Sequence, residues 1–182
     1  MPLRLRPFQI DDETAALRAQ ELLKADDFQF LLGRGGGDWA GYLTMLRRNR
    51  QGLDLDENRV RAALLAAEVD GVIVGRASIR FELNDWLAER GGHIGYCVLP
   101  EFRARGYATD ILRQALDVAR YEGVERVLVI CDDDNVASAA TIERCGGVLE
   151  RVVEASDADT AFRRYWIGRS APDRRATGRL CR

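Results

Sequence analysis

The chain has 182 residues, 47% apolar and 31% charged, enough for one globular core and too few for two full domains. With 27 basic and 29 acidic residues the net charge is −2, so no global field draws nucleic acid or anionic membrane to it. No apolar run is long enough to span a bilayer, and the opening Met-Pro-Leu-Arg-Leu-Arg lacks the apolar core of a signal peptide, so a cytoplasmic protein is expected.

Leu3 and Leu5 alternate with Arg4 and Arg6, the period of a short half-buried strand. Asp11 or Asp12 can cap the helix that follows, whose apolar positions Ala15, Leu17, Leu22 and Leu23 carry on to about Ala25. The run Gly33-Arg34-Gly35-Gly36-Gly37 has neither the Lys-Ser/Thr nor the preceding strand of a phosphate loop. It reads as a flexible loop beside a cleft, because a run of glycine is costly to order. Asp38 then caps a second helix, Trp39 to about Arg50, with Trp39, Tyr42, Leu43 and Leu46 at helical spacing. Its Arg47, Arg48 and Arg50 read as a solvated face, the alternative being a surface toward an acidic acceptor. From Arg59 the period changes to that of strands: Val60 to Val69 and Val72 to Phe81 flank Asp70-Gly71, a pair that favours a tight hairpin. Asn84 to Arg90 reads as one or two helical turns, ended by Gly91-Gly92.

The stretch from His93 to Gly147 carries the chemistry. A strand (93 to 99) leads through Pro100 into Glu101-Phe102-Arg103-Ala104-Arg105-Gly106-Tyr107-Ala108-Thr109, and directly into an amphipathic helix from about Arg105 to Tyr121. Backbone N–H groups that open a helix have no intrahelical partner, so such a turn gathers several of them around one point where an anion can sit. Arg103 and Arg105 add positive charge there, and Gly106 and Ala108 are small enough for a phosphate to approach the main chain. The stretch therefore reads as a pyrophosphate cradle. Ala108, Ile111, Leu112, Ala115, Leu116 and Ala119 form the buried stripe of the helix, and Gly123 ends it. Val127 to Cys131 is a continuous apolar run, as in a central strand covered on both faces. Asp132-Asp133-Asp134 admits a metal site or a loop and helix start that suits the helix dipole; the second reading is preferred. Asn135 to Arg144 is a helix ended by Gly146-Gly147, and Val148 to Val153 with Phe162 to Ile167 form a closing hairpin. Cys97, Cys131, Cys145 and Cys181 have no metal-ligand spacing and read as free thiols, the first three packed as small hydrophobes. No metal is expected.

The spacing Arg103, Gly106, Ala108 fits Arg/Gln-x-x-Gly-x-Gly/Ala, which after a strand and opening a helix resembles the acetyl-CoA signature of the GNAT superfamily of N-acetyltransferases. Asn135 and Ser138 resemble that superfamily's Asn-x-x-Ser/Ala element. Gly-Gly-His-Ile-Gly-Tyr (91 to 96), Gly146-Gly147 and Arg-Arg-Tyr-Trp-Ile (163 to 167) further resemble a branch of predicted bacterial acetyltransferases, over about residues 60 to 168. The resemblance implies an α/β (α+β) fold: a mixed, mostly antiparallel twisted sheet of about seven strands flanked by about four helices. It implies one domain over residues 1–168, with 26–58 on the acceptor side, Phe28, Phe30, Leu31 and Leu32 in its wall, and 93–147 as the acetyl-CoA-binding core. Residues 169–182, with five arginines and little to pack, read as a disordered tail rather than a nucleic-acid arm.

The function implied is transfer of an acetyl group from acetyl-CoA to a primary amine by direct attack in a ternary complex. Cys97 and Val98 would pair with the pantetheine arm along a strand that bulges and splays, with Val98 N–H as oxyanion donor. Arg103, Ala104, Arg105, Gly106, Tyr107, Ala108, Thr109, Asn135 and Ser138 would complete the cofactor site. Where relatives carry a glutamate base this chain has Gly92 and His93, which makes His93 the candidate base, against a structural histidine bonded beside the strand. Seven residues after Asn135, where many relatives carry a tyrosine acid, stands Ile142; Ser138 is the candidate acid, with packing of its helix onto the cofactor as the other reading, and Thr141 a poorer one. The departures also suit a non-catalytic acyl-CoA-binding module. The superfamily often dimerises through the closing hairpin, where Tyr165 and Trp166 suit an interface or the core equally.

Overall fold

Strand-forming alternation in the first residues and again from residue 60 builds one sheet, and the helical stretches between cover it. The computed structural model describes residues 2–155 and 160–168. The proposed tail and Cys181 lie outside them. In chain order the elements are β1 (Arg4–Pro7), α1 (Glu13–Lys24), α2 (Trp39–Gln51), β2 (Ala62–Val69), β3 (Val72–Arg80), β4 (Ile94–Val98), α3 (Tyr107–Tyr121), β5 (Arg126–Asp132), α4 (Val136–Arg144), β6 (Val148–Val153) and β7 (Phe162–Gly168). The strands form a seven-stranded sheet in the order β1-β2-β3-β4-β5-β7-β6, and every neighbouring pair is antiparallel except β4 with β5. Among the described residues no helix is long and apolar enough to cross a membrane.

Period-two alternation decides what each face packs against. Leu65, Ala67, Ala77, Ile79 and Ile94 meet Ile111, Leu112, Ala115, Leu116 and Ala119 of α3 and Ala139 and Ile142 of α4. Leu64, Ala66 and Ile73 meet Ala16, Ala19 and Leu23 of α1, Trp39 and Tyr42 of α2, and Phe30 and Leu31 between these helices. At about 1.5–3 kcal/mol for each large side chain taken from water, these two layers hold the sheet in place. Asp70 and Gly71 both take positive φ, 50° and 80°, as a tight hairpin turn requires.

Three local expectations are corrected. α3 begins at Tyr107 rather than Arg105, because Gly106 sits at φ 84°, a left-handed conformation that cannot continue a helix backwards. Asp12 does not cap α1; its carboxylate takes two hydrogen bonds from Arg6, at 2.6 and 2.9 Å, and one from Gln9 N–H at 2.7 Å. Arg6 also pairs with Glu68 on β2, so the carboxylate ties the start of α1 to the sheet. β4 has no bulge: its register against β3 runs unbroken from Ile94↔Ile79 to Val98↔Gly75. Asp38 caps α2 as expected, accepting from Gly41 N–H at 2.7 Å. Arg48 pairs with Asp54 and Arg50 with Glu122, which fits the solvated-face reading of that helix.

Candidate active site

β5 is bonded to β7 along its whole length but to β4 only at Ile94↔Val129. Beyond that pair the two strands diverge. Leu99 N–H donates to Val74 O, so by antiparallel alternation residues 95, 97 and 99 bond to β3, while His93 at the start of the strand gives its C=O to Arg80 N–H of β3 and its N–H to Leu128 O of β5. The N–H and C=O groups of Tyr96 and Val98 therefore point the other way, into the gap, with no strand to receive them. Val98 O takes a 3.3 Å hydrogen bond from Arg103 Nε. A cavity of about 870 Å³ opens along this edge.

The mouth of the cavity is the turn after β4. A single 3-10 turn, Pro100–Phe102, is followed by Ala104 at φ 62° and Gly106 at φ 84°. Positive φ at an alanine costs on the order of 1 kcal/mol, and such strain persists where the surroundings fix it. Among the described residues the peptide N–H groups of residues 104 to 108 make no hydrogen bond; the next bonded group is Thr109 N–H, on Gly106 O at 3.0 Å. A Cβ at Gly106 would meet nothing within 4 Å, so the glycine is there for its φ and its open side faces space. Unpaired donors beside the N-terminus of a fifteen-residue helix are an arrangement that can hold an anion.

The opposite wall is α4. Asn135 caps it, its Oδ1 accepting from Ser138 N–H at 3.0 Å. Ala137, Ser138, Ala140, Thr141 and Arg144, spaced along one side of α4, face the cavity. Ser138 Oγ lies 3.0 Å from the Tyr96 hydroxyl, which reaches across from β4. Burial pushes the Tyr96 phenol up to about 12, so it keeps its proton throughout the neutral range. Ile142 is wholly buried in the core beneath.

His93 is placed differently from a base. It is 7% exposed and not among the residues lining the cavity. Its ring Nδ1 accepts the Leu128 N–H at 2.9 Å, while its backbone N–H donates to Leu128 O at 2.8 Å. Burial, reinforced by the nearby Arg80 cation, lowers its pKa to about 4. A group that holds a proton so weakly, with one nitrogen already engaged, is a poor acceptor at neutral pH. The geometry is that of the structural alternative: the imidazole satisfies the β5 backbone where β4 begins.

Behind Cys97 and Phe28 the sheet carries Arg76, 4% exposed and with no ion pair among the described residues. Its Nη2 donates to Gln29 O at 2.9 Å and Nη1 to Gly95 O at 3.2 Å; the guanidinium stacks on Phe28 at 4.7 Å, and Nε has no partner. Nearby, Arg34 stacks over Trp39 and Tyr42 at 5.6 and 5.8 Å.

Of the residues expected to bind the cofactor, Cys97, Val98, Arg103, Ala104, Gly106, Tyr107, Ala108, Thr109, Asn135 and Ser138 all line the cavity. Arg105 does not: it donates to Glu101 O at 3.2 Å and lies over Phe102 at 5.6 Å, outside the mouth. Arg103 is tied to Asp26, past the end of α1, at 3.0 Å. Phe28, expected in the acceptor-side wall, and Thr141, the poorer candidate acid, also line the cavity, together with Tyr96, Phe102 and Arg144, which the sequence does not single out. Tyr96 had a signal, since it shares the parity of Val98 on a strand whose edge was already assigned to the site.

The acetyltransferase (GNAT) domain family matches residues 2–148. No curated protein sequence matches significantly. Among solved structures, the chain is similar to the microcin C7 self-immunity acetyltransferase MccE in complex with acetyl-CoA and AMP, with 19% identity, coverage of 91% of this chain and 92% of that one, and a TM-score of 0.64. It is also similar to Mycobacterium smegmatis RimJ in complex with a CoA disulfide (22%, 91% and 81%, 0.65) and to RimL, a ribosomal L7/L12 α-N-protein acetyltransferase, in complex with coenzyme A (17%, 91% and 93%, 0.62). At these identities the likeness is one of fold.

Proposed function

The chain belongs to the GNAT acetyltransferase family, and from that premise we propose that it transfers the acetyl group of acetyl-CoA to a primary amine, both bound at the gap between β4 and β5. The observation that carries the reading is the row of five unpaired N–H groups, Ala104 to Ala108, set beside an unpartnered strand edge. The row suits the pyrophosphate of a CoA thioester, and the edge suits amides of its pantetheine arm, which would add to β4 as a strand would. Arg103 and Arg144 bring positive charge to the same cavity.

Each chemical demand then has a group of this chain to meet it. Val98 N–H, directed into the gap, is the donor for the oxygen of the thioester carbonyl as negative charge develops there. Ser138 and Tyr96 are the hydroxyls that the departing thiolate meets. The proton of the acceptor ammonium leaves to water in the open cleft, since His93 is engaged with the β5 backbone. A free α-amine, with pKa about 7.7–8.0, needs little help near neutral pH, and a lysine, at about 10.4, needs more. Turnover should therefore rise with pH toward the acceptor's own pKa, without an inflection from His93.

Isothermal calorimetry with acetyl-CoA, CoA and 3′-dephospho-CoA tests the binding step, and thiol release with a panel of amines tests the transfer. Micromolar binding of acetyl-CoA and thiol release that depends on the amine are expected. Binding without turnover of any amine would leave an acyl-CoA-binding module; absence of binding by the folded protein would overturn the reading altogether.

A further inference from the structure

Whatever amine is acetylated, the bond that breaks is the thioester C–S bond, and the sulfur leaves with its electron pair. Five hydroxyl groups belong to residues lining the cavity: those of Tyr96, Tyr107, Thr109, Ser138 and Thr141. Tyr107 stands at the first position of α3, at the anion end of the cavity rather than at the gap. Thr109 is buried on the helix, and the Thr141 hydroxyl is spent on Ala137 O at 2.8 Å. Tyr96 and Ser138 remain, and they face each other at 3.0 Å across the gap. One hydrogen bond between two hydroxyls uses one of their two protons. Thr141 and Cys131 are the other side chains in contact with the pair, and both residues of the pair line the cavity.

We propose that the Tyr96 hydroxyl, oriented by Ser138 Oγ, is the group that protonates the departing CoA thiolate. The assignment rests on the acetyl-transfer reading above, and makes Ser138 a positioning residue rather than the acid itself. Three features of the structure support it. Tyr96 is on the strand whose free edge would carry the thioester, two residues before the proposed oxyanion donor, and both line the same cavity. A phenol is a far stronger acid than a serine hydroxyl, and burial among β4, β5 and α4 keeps it fully protonated at working pH. Asn135 anchors the first turn of α4 through the Ser138 N–H, which fixes the serine and through it the phenol. In the step itself the amine nitrogen bonds to the carbonyl carbon, the C–S bond breaks, and the Tyr96 proton passes to sulfur. The phenolate recovers a proton from the nitrogen through cleft water. The balance is amine plus acetyl-CoA to amide plus CoA thiol, with no proton gained or lost by the enzyme.

Two measurements on the full chain test this. In steady-state turnover with an amine that the wild-type protein accepts, Tyr96→Phe should lower kcat about 100-fold, in the range general acids contribute. KM for acetyl-CoA should stay within about threefold, while Ser138→Ala should cost only about tenfold because the phenol remains. The second measurement needs no amine. The thiol of bound CoA is titrated by its ultraviolet absorbance; a hydrogen bond from Tyr96 favours the thiolate, so Tyr96→Phe should raise the bound thiol pKa by about one unit. 3-Fluorotyrosine at position 96 keeps the shape of the site, and should shift the high-pH limb of kcat downward, which a purely structural ring would not do. Equal kcat and equal thiol titration in wild type and Tyr96→Phe would overturn the assignment. If the wild-type protein binds CoA but acetylates no amine, the transfer reading fails while the titration still decides whether Tyr96 meets the sulfur. If it binds no CoA, both fall together.

Discussion

Between Val98 and Ala108 the groups left without partners are peptide N–H groups, those of residues 104 to 108. On the other side of β4, from Phe28 to Tyr42, the surface that packs on the sheet carries stacked rings and guanidinium groups beside Leu31: Phe28 under Arg76, and Trp39 and Tyr42 under Arg34. The difference is one of what holds specificity. A backbone site needs only the right φ at two positions and small side chains around them, and it suits an invariant ligand such as a pyrophosphate. A side-chain site depends on residues brought from separate parts of the chain, and it can be rebuilt for a different acceptor without disturbing the first. Substitutions on the two sides should therefore separate cofactor affinity from stability and acceptor use.

The sharpest break is Gly106→Asp. The substitution places a carboxylate in a cradle of unpaired donors and a side chain at φ 84°, yet a Cβ there meets nothing within 4 Å, so the fold should survive. Acetyl-CoA affinity should fall at least about 100-fold, roughly 3 kcal/mol, with the melting temperature lowered by only a few degrees. Calorimetry beside a thermal melt checks both. An unchanged dissociation constant would place the pyrophosphate elsewhere.

His93→Ala comes next and has the opposite signature. It leaves the Leu128 N–H buried without an acceptor, which costs on the order of 1–3 kcal/mol of stability. Turnover between pH 6 and 9 should stay within about threefold of wild type at a temperature where the variant is folded. The wild-type histidine also makes stability depend on pH. The unfolded chain takes up its proton near pH 6.5, the folded protein only near 4. The unfolded state thus binds more protons between these values, and stability, intact above 6.5, falls as the pH drops toward 4. Chemical denaturation at several pH values should show that slope in wild type and a shallower one in His93→Ala. A kcat that instead loses a pH limb would return His93 to the chemistry.

The contrast between the two regions is also a contrast in legibility. The sheet and its four α-helices are readable because alternation and helical spacing are local, and so is the Arg-x-x-Gly-x-Ala spacing of the turn after β4. The Asp70-Gly71 hairpin and the Asn135 and Asp38 caps are likewise set within a few residues. Arg105 was misplaced because the turn that builds the cradle, with positive φ at both Ala104 and Gly106, swings its side chain back onto Phe102, and a non-glycine left-handed residue leaves no mark in sequence. For His93 the sequence leaves base and structural histidine both open, because its partner, Leu128, is 35 residues away and contributes only backbone. Tyr96 stood in the motif strand, but the hydroxyl that faces it belongs to Ser138, 42 residues on. Pairings of that kind exist only once the sheet has formed.

On the side-chain half, Arg76→Met tests whether the buried guanidinium serves acceptor use rather than cofactor binding. Two effects oppose each other. The carbonyls of Gln29 and Gly95 lose a donor, while a buried cation with an unpartnered Nε is replaced by an apolar chain of similar length. The net loss of stability should be small, about 1 kcal/mol, because these contributions partly cancel. Acetyl-CoA affinity should remain within about threefold, and KM for the amine should rise as the segment around Gln29 loses its anchor. A loss of acetyl-CoA affinity comparable to that of Gly106→Asp would erase the distinction between the two regions.

The smallest effect belongs to Arg103→Ala, and it is informative because Arg103 sits on the boundary. Its guanidinium bridges the cradle side to Asp26 through a pair in which both side chains are more than half exposed. Such a pair contributes about 0–1 kcal/mol, so melting should barely move. If Arg103 exchanges Asp26 for a phosphate oxygen when acetyl-CoA binds, affinity should fall three- to tenfold at low ionic strength. The difference between variant and wild type should shrink toward nothing near 1 M salt, where the screening length is about 3 Å. If it serves only to tie the end of α1 to β4, the loss should be small and independent of salt, and Asp26→Ala should reproduce it. In the first case Asp26→Ala, by freeing the arginine from its competitor, should tighten acetyl-CoA binding instead.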